Sequence, residues 1–513
     1  MSVFSKIYHL RTLLTAALLL PLLCACSLYD YADNAETPAS PADSTIKYIN
    51  LSIVVSAGNE GTTRAGQPAG GENGDGREIG SGRENKVTGI TLMLYRDDKG
   101  INTDDNTTID FIRYYGVTEI EKSSDANIEV SYETGYQPLA GTDIKLDEKY
   151  HAIVVANKNL TGEVFVRSSS VADVRKKIIS EIYDGGGIGI DAKNFVMASE
   201  KDFAFTLKDL TSEDKVVDGK PALVYSLDGI RIERLAARID FWMKGAKYQT
   251  KDDNSAYETP GYEYNVTKPD GTLSDDKFVL TAVTPFNIYD ESEFYIKHVH
   301  PSDGNEKYLE DETMESYVID PKTVDKETVT LSVGLKYINP LSELVKASTV
   351  EDMATAAGDW RRTTEYLHEG KEKETENSQY ATFDGIGADD NFILCYPKEN
   401  ALKLSSPLYY YATGVAIEGY YYKDGQGTGE YRVYYGFLRH QGEGSSSTYT
   451  INTKEDFVGK ENELVGDQKT AMNFSVVRNN IYRISIDKIT EQGIELKIIV
   501  KEWDKFTHDM IYM

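Results

Sequence analysis

At 513 residues with 40% hydrophobic side chains, the chain is long enough for two or three domains, each with its own core. A formal charge of −28 argues against nucleic acid, whose phosphate backbone demands a basic face, and equally against electrostatic docking on anionic lipid. With three cysteines, two of them at positions 24 and 26, no disulfide framework is available to a mature chain, so stability must come from apolar cores.

The first segment reads as an export signal. Lys6 and Arg11 form a positive start, Leu13 to Leu23 an apolar stretch too short to span a bilayer, and Leu23-Cys24-Ala25-Cys26 a lipobox. Residues 1–25 are then a lipoprotein signal peptide, and Cys26 is the lipidation site that tethers the protein to the outer membrane. An ordinary signal cleaved near Ala25 is the competing reading; Cys24 as acceptor would put Leu23 at the small-residue position. Residues 26–46, rich in Asp, Ala, Ser and Pro, form a flexible tether.

The periodicity that follows is that of strands, which predicts a mainly β fold. Ile49, Leu51, Ile53 and Val55 occupy one face of a first strand over 47–56. Gly58 to Glu84 carries glycine runs and almost no apolar side chains, which predicts an exposed loop offering Arg64, Arg77 and Arg83 to proteolysis. Further strands are expected at 87–95, 151–156, 203–207, 230–243, 278–283 and 328–337. Two helices interrupt them, one after Ser170 through Val171, Val174 and Ile178, the other over Leu341 to Ala357. The polar stretch Lys247 to Gly271, with Pro260 and Pro269, places a boundary near residue 245, giving domains 47–245 and 246–513. Tyr409–Tyr422 and Tyr431–Leu438 flank a glycine-rich turn and read as a tyrosine-coated hairpin.

Signals for enzyme chemistry fail one by one, and neither a metal nor a cofactor is expected. His298 and His300 share a face without a carboxylate or cysteine at zinc spacing, and His368-Glu369 lacks the second histidine of a zincin helix. Gly185 to Gly189 follows a helix, whereas a dinucleotide loop follows a strand. Asp97-Asp98 and Asn102 to Asn106 resemble a calcium loop in composition only. Cys395, in Phe392-Ile-Leu-Cys-Tyr396, reads as a small buried hydrophobe.

Several segments together resemble a known family. Tyr48-Ile-Asn-Leu-Ser-Ile-Val-Val55, Thr63-Arg-Ala65, Gly70 to Glu78 and Glu84-Asn-Lys-Val87 are similar to the N-terminal region of the Bacteroidales fimbrillins, the Mfa-like branch of type V pilus subunits. Glu233-Arg-Leu-Ala-Ala-Arg-Ile239 resembles a mid-chain strand of that family, and Val477-Arg-Asn-Asn-Ile-Tyr-Arg-Ile-Ser-Ile486 with Val500-Lys-Glu-Trp503 resembles its C-terminal region. The resemblance implies two β-sandwich domains of transthyretin-like topology, a subunit exported as a lipoprotein, and cleavage by an arginine-specific surface protease. It also implies polymerisation with other fimbrial subunits by strand exchange, and adhesion to a host or bacterial surface ligand. Thr63-Arg64-Ala65 best matches the family's cleavage position, with Arg77 and Arg83 as alternatives.

A cut at Arg64 would detach the lipid on Cys26 together with the Ile49 strand, whose place must then be filled. Ile494, Leu496, Ile498 and Val500 copy the spacing of Ile49, Leu51, Ile53 and Val55 and form a candidate donor strand. Four such side chains are worth roughly 6 to 12 kcal/mol of burial. The same segment can instead pair with 481–487 inside its own domain, and Phe506, Met510 and Tyr512 form a second donor candidate. Three classes therefore stand: a structural subunit of the surface fimbria, a tip or anchor component of the same apparatus, and a surface glycan-binding lipoprotein that stacks sugars on the tyrosine hairpin.

Overall fold

A computed structural model describes residues 46–504, apart from 56–76, 80–81, 97–106, 124–127, 140–141, 143, 163, 176–177, 180, 185–191, 200–201, 252–255, 290–291, 294–336, 369–390, 401, 403–407, 441–445 and 467–472. The fold is mainly β, with a few short helices. From Ile46 onward the chain forms one compact unit, within which the apolar side chains divide into two principal cores.

The first core is built by an eleven-stranded sheet whose main path runs from Phe111–Gly116 through Gly89–Arg96, Lys149–Ala156, Met197–Ser199, Lys220–Arg234, Ile46–Val55 and Ile128–Glu133 to Thr118–Ser123. Its central strands read as near-continuous apolar runs, as in Ile153 to Ala156, because both their faces are covered. The second core lies between two six-stranded sheets and forms a sandwich. One sheet orders Arg77–Ile79, Ile494–Asp504, Asn480–Ile489, Arg238–Trp242 and Asn391–Cys395, with Ser446–Ile451 also on Ile494–Asp504. The facing sheet orders Lys247–Gln249, Gly261–Thr267, Leu273–Phe286, Gly414–Tyr422 and Glu430–Phe437, with Arg362–Thr363 also on Leu273–Phe286. A smaller cluster covers that sheet's outer face, where Leu341, Leu344 and Met353 pack on Phe286, Ala416 and Tyr435.

Three local expectations change. The strand expected at 230–243 is two strands in different sheets, Lys220–Arg234 and Arg238–Trp242, with the buried residues Leu235, Ala236 and Ala237 between them. No glycine or proline marks the break. Its backbone is instead satisfied from three remote segments: Leu235 N donates to Val196 O (3.0 Å), Ala237 N to Pro397 O (2.8 Å), and Asn479 N to Ala236 O (2.8 Å). The helix expected over Leu341 to Ala357 is two, Leu341–Leu344 and Val350–Ala357. Thr349 starts the second with a capping box, its hydroxyl accepting from Asp352 N at 3.1 Å while the Asp352 carboxylate accepts from Thr349 N at 3.2 Å. After Ser170 the helix stops at Arg175, and Ile178–Ile179 pairs as a strand with Ser292–Glu293.

The hairpin Gly414–Tyr422 with Glu430–Phe437 forms as expected, but its tyrosines are mostly interior. Tyr421, Tyr422, Tyr434 and Tyr435 are buried, and Tyr420 and Tyr431 are half-buried. Burial, as the first cause, raises the phenol pKa of Tyr132, Tyr183, Tyr410, Tyr431 and Tyr435. A pKa raised on folding contributes stability that is present below the unfolded value of about 10 and is lost as pH climbs past it. An ultraviolet tyrosinate titration should therefore lag the free phenol curve and catch up only as the fold is lost. Full ionisation near the free value with circular dichroism unchanged would contradict this.

Candidate functional site

The first strand, Ile46–Val55, sits in a seat between two walls. On one side it pairs parallel with Lys220–Arg234, from Ile46 opposite Ala222 to Val55 opposite Ile232. On the other it pairs antiparallel with Ile128–Glu133, Ser52 facing Glu133 and Ile53 facing Tyr132, and then with Gln137–Pro138. Between Leu51 and Ile53 the parallel partner advances from Leu227 to Ile230, and the extra residue is absorbed by a bulge at Gly229, whose φ of +81° glycine adopts without strain. Leu51 N donates to Thr134 Oγ1 (3.1 Å), Thr134 N returns a bond to Leu51 O (3.1 Å), and Leu139 N donates to Lys47 O (2.9 Å).

Ile49, Leu51 and Ile53 are buried in the first core, at 4%, 1% and 0% exposure. Tyr48 is buried on the opposite side among Ala222 and Val224, so the strand is covered on both faces and not on one as its alternation implied. Val55 lies in the strand. At roughly 1.5 to 3 kcal/mol for each buried aliphatic side chain, the three described ones contribute about 5 to 9 kcal/mol.

The other sequence-derived positions fall as follows. Cys26 and Arg64 lie outside the described residues, as do His298, His300, Gly185 to Gly189, Asn102 to Asn106, and Phe506, Met510 and Tyr512. Ile494, Leu496, Ile498 and Val500 are buried in the second core. Their strand pairs antiparallel with Asn480–Ile489, Ile498 opposite Ile484, and with Ser446–Ile451. Cys395 is fully buried, and desolvation pushes its thiol pKa up. His368 stacks on Tyr248 with ring centroids 3.9 Å apart. Among the described residues, no group of three or more His, Cys, Asp or Glu side chains is placed to hold a metal ion, and no helix is long and apolar enough to cross a membrane.

Beside the seat lies a buried polar cluster that reading along the chain did not assemble. The stretch expected to be loop as far as Glu84 instead contains a strand, Arg77–Ile79, and a helical turn, Gly82–Asn85, with Glu84 at 0% and Asn85 at 6% exposure. The Glu84 carboxylate accepts from Tyr396 OH (2.6 Å) and from Arg238 Nη1 (3.4 Å). Arg238 reaches Asp240 through two bonds, Nε to Oδ1 at 2.9 Å and Nη2 to Oδ2 at 2.8 Å. Arg483 Nη2 approaches the same Oδ2 at 3.4 Å. Arg234 donates from Nε to Glu84 O (3.1 Å), from Nη1 to Asn479 Oδ1 (2.9 Å), and to Asn85 Oδ1. Tyr132, the wall residue facing Ile53, donates its hydroxyl to Asn85 O (2.9 Å). Charged side chains this dry persist only with such partners. Their sequence signal was arginines set inside the apolar runs Glu233 to Ile239 and Val477 to Ile486.

The fold and site define a mainly β protein of two cores whose first strand fills a seat walled by later parts of the chain. No family model matches the chain, and no curated protein matches it significantly. Among solved structures it is similar to a fimbrilin from Porphyromonas gingivalis, at 15% identity and a TM-score of 0.39, covering 90% of this chain and 98% of that one. It is also similar to the tip fimbrial protein Mfa3 from the same organism with a C-terminal truncation, at 10% identity and a TM-score of 0.35, covering 89% and 99%. A third is a fimbrial assembly protein from Parabacteroides distasonis, at 10% identity and a TM-score of 0.34, covering 89% and 95%. The structural neighbours are thus fimbrial proteins of Bacteroidales, at similarities that by themselves carry no function to this chain.

Proposed function

We propose that the chain is a structural subunit of a surface fimbria. It is exported as an outer-membrane lipoprotein acylated on Cys26, cut by an arginine-specific protease at Arg64, and polymerised when a strand of another subunit fills the seat of Ile46–Val55. The observation that carries this reading is the seat itself. A strand buried on both faces, with hydrogen-bonding partners on both edges, leaves on departure an apolar groove that is strongly unfavourable in water. Addition of a strand from the next molecule restores both terms, and its head-to-tail geometry builds an open filament. The role is structural, with no catalytic step and no cofactor.

Two candidates for the donor remain in the C-terminal region. Withdrawing Ile494, Leu496, Ile498 and Val500 would strip the second core of burial worth roughly 6 to 12 kcal/mol, so the reading favours the residues that follow, with Phe506, Met510 and Tyr512. The changeover of cores at Ala236 and Ala237 supports two sandwich domains divided slightly before residue 245. A second reading, a tip or anchor component with a seat but no donor, is favoured by the full incorporation of Ile494–Asp504 into its own sheet. Glycan stacking is disfavoured by the burial of the hairpin tyrosines.

The test is digestion of purified, unlipidated protein with an arginine-specific protease, followed by N-terminal sequencing and a non-boiled gel. A terminus at Ala65 with a ladder of multimers is expected, and a chain ending at Asp504 should be cut without forming the ladder. Cutting that leaves the full chain monomeric would move the tip reading ahead.

A further inference from the structure

We infer that the turn Gly82–Asn85 is a latch: it holds the processed chain's amino-terminal end on the body when the first strand leaves, and it confines arginine-directed cutting to positions before Arg77. This rests on the proposed removal of the first strand and adds to it which part of the connecting segment stays behind.

A protease must draw the backbone on both sides of the scissile bond out as an extended strand, so the burial and hydrogen bonding of that backbone decide where it cuts. Around Arg77 the backbone is paired in parallel with the second sheet, Arg77 opposite Glu502 and Ile79 opposite Asp504. Around Arg83 the constraint is stronger. Pulling out the bond between Arg83 and Glu84 would drag from the interior a carboxylate held by Tyr396 and Arg238 and a backbone oxygen held by Arg234. In a dry site it would take from Arg238 one of its two carboxylate partners, leaving Asp240, and from Arg234 its backbone acceptor, leaving Asn479.

The latch joins the elements that must stay together once the seat is empty. Arg234 belongs to the strand that forms the parallel wall of the seat, and Tyr132 to the antiparallel wall. Arg238 begins Arg238–Trp242, an inner strand of the sheet that covers the second core, and Tyr396 follows that sheet's edge strand. All four meet on Glu84 and Asn85, four residues in all from Gly82 to Asn85, so both walls remain tied to the second core without any contribution from Ile46–Val55.

The experiment follows an arginine-specific digest of the full chain by intact mass and N-terminal sequencing over time, for wild type, Glu84→Ala and Tyr396→Phe. In wild type the bonds after Arg77 and Arg83 should survive at least about tenfold longer than any upstream arginine bond, the effect of holding a local opening closed by one charge-assisted hydrogen bond. Glu84→Ala should raise cutting after Arg83 by about tenfold or more, and Tyr396→Phe, which removes one hydroxyl and little volume, by a smaller factor. A wild-type terminus at Glu78 or Glu84 appearing as fast as the upstream cut would overturn the latch. So would an unchanged lifetime of the Arg83 bond in both variants. The position of cutting is read separately from multimer formation: a correctly placed cut that yields only monomers defeats the fimbrial reading and leaves the latch standing.

Discussion

Asp240→Ala is expected to lower the free energy of unfolding by about 3 to 5 kcal/mol. Asp240 is fully buried and takes both bonds from Arg238, a longer one from Arg483, and one from Asn391 Nδ2 at 3.4 Å. Removing it leaves the Arg238 guanidinium without the acceptor of its two shortest bonds, and takes one acceptor from Arg483, where water cannot replace it, so the loss exceeds what the pair contributes relative to an apolar replacement. Asp240→Asn keeps the volume and some of the hydrogen bonding and should fall between the two. Urea unfolding with midpoint and slope compared against wild type checks this; a loss below about 1 kcal/mol for the alanine variant would show that the site is wetter than its burial implies.

Ile53→Ala is the second large effect, a loss of about 2 to 5 kcal/mol. Ile53 is fully buried between Ile230 and Tyr132, in the half of the seat beyond the bulge, where neighbours on two sides prevent collapse into the space left. The change should be local to the seat. Amide exchange should quicken in Lys220–Arg234 and Ile128–Glu133 while Asn480–Ile489 keeps its protection. Under the fimbrial reading the cut first strand should also dissociate sooner and multimers should appear faster. Equal acceleration around both cores would mean that the first strand stabilises the whole molecule and not its own seat.

Much of the fold was legible because short runs rich in β-branched and aromatic residues mark strands whether one face is buried or both. Gly89–Arg96, Lys149–Ala156, Phe203–Thr206, Gly414–Tyr422 and Glu430–Phe437 stand close to where their residues placed them. The break at Leu235 to Ala237 was not legible, because it is made by hydrogen bonds from Val196, Pro397 and Asn479, residues remote in the chain, and by no local turn residue. The split of the Leu341 to Ala357 helix carried a local signal, the Thr349-Val-Glu-Asp352 capping box, masked by continuous helical apolar spacing.

For the site, the alternation of Ile49, Leu51 and Ile53 identified a buried strand, since a side-chain period of two is a property of the backbone alone. The alternation of Ile494, Leu496, Ile498 and Val500 identified another with equal clarity. Sequence determined that both strands are buried; which neighbours bury them was decided by register and pairing, with the remote strand Lys220–Arg234 beside the first and the chain neighbour Asn480–Ile489, one of the two alternatives open to it, beside the second. The same division holds for the charges. Arg234, Arg238 and Arg483 were visible as cations in apolar runs, but a charge in a dry site has no local partner rule. Asp240 is the exception, two residues after Arg238 on the same strand face; the tertiary structure brings Glu84 and Tyr396 to the cluster and Arg483 to Asp240, because a buried charge is tolerated only where the fold supplies its partners.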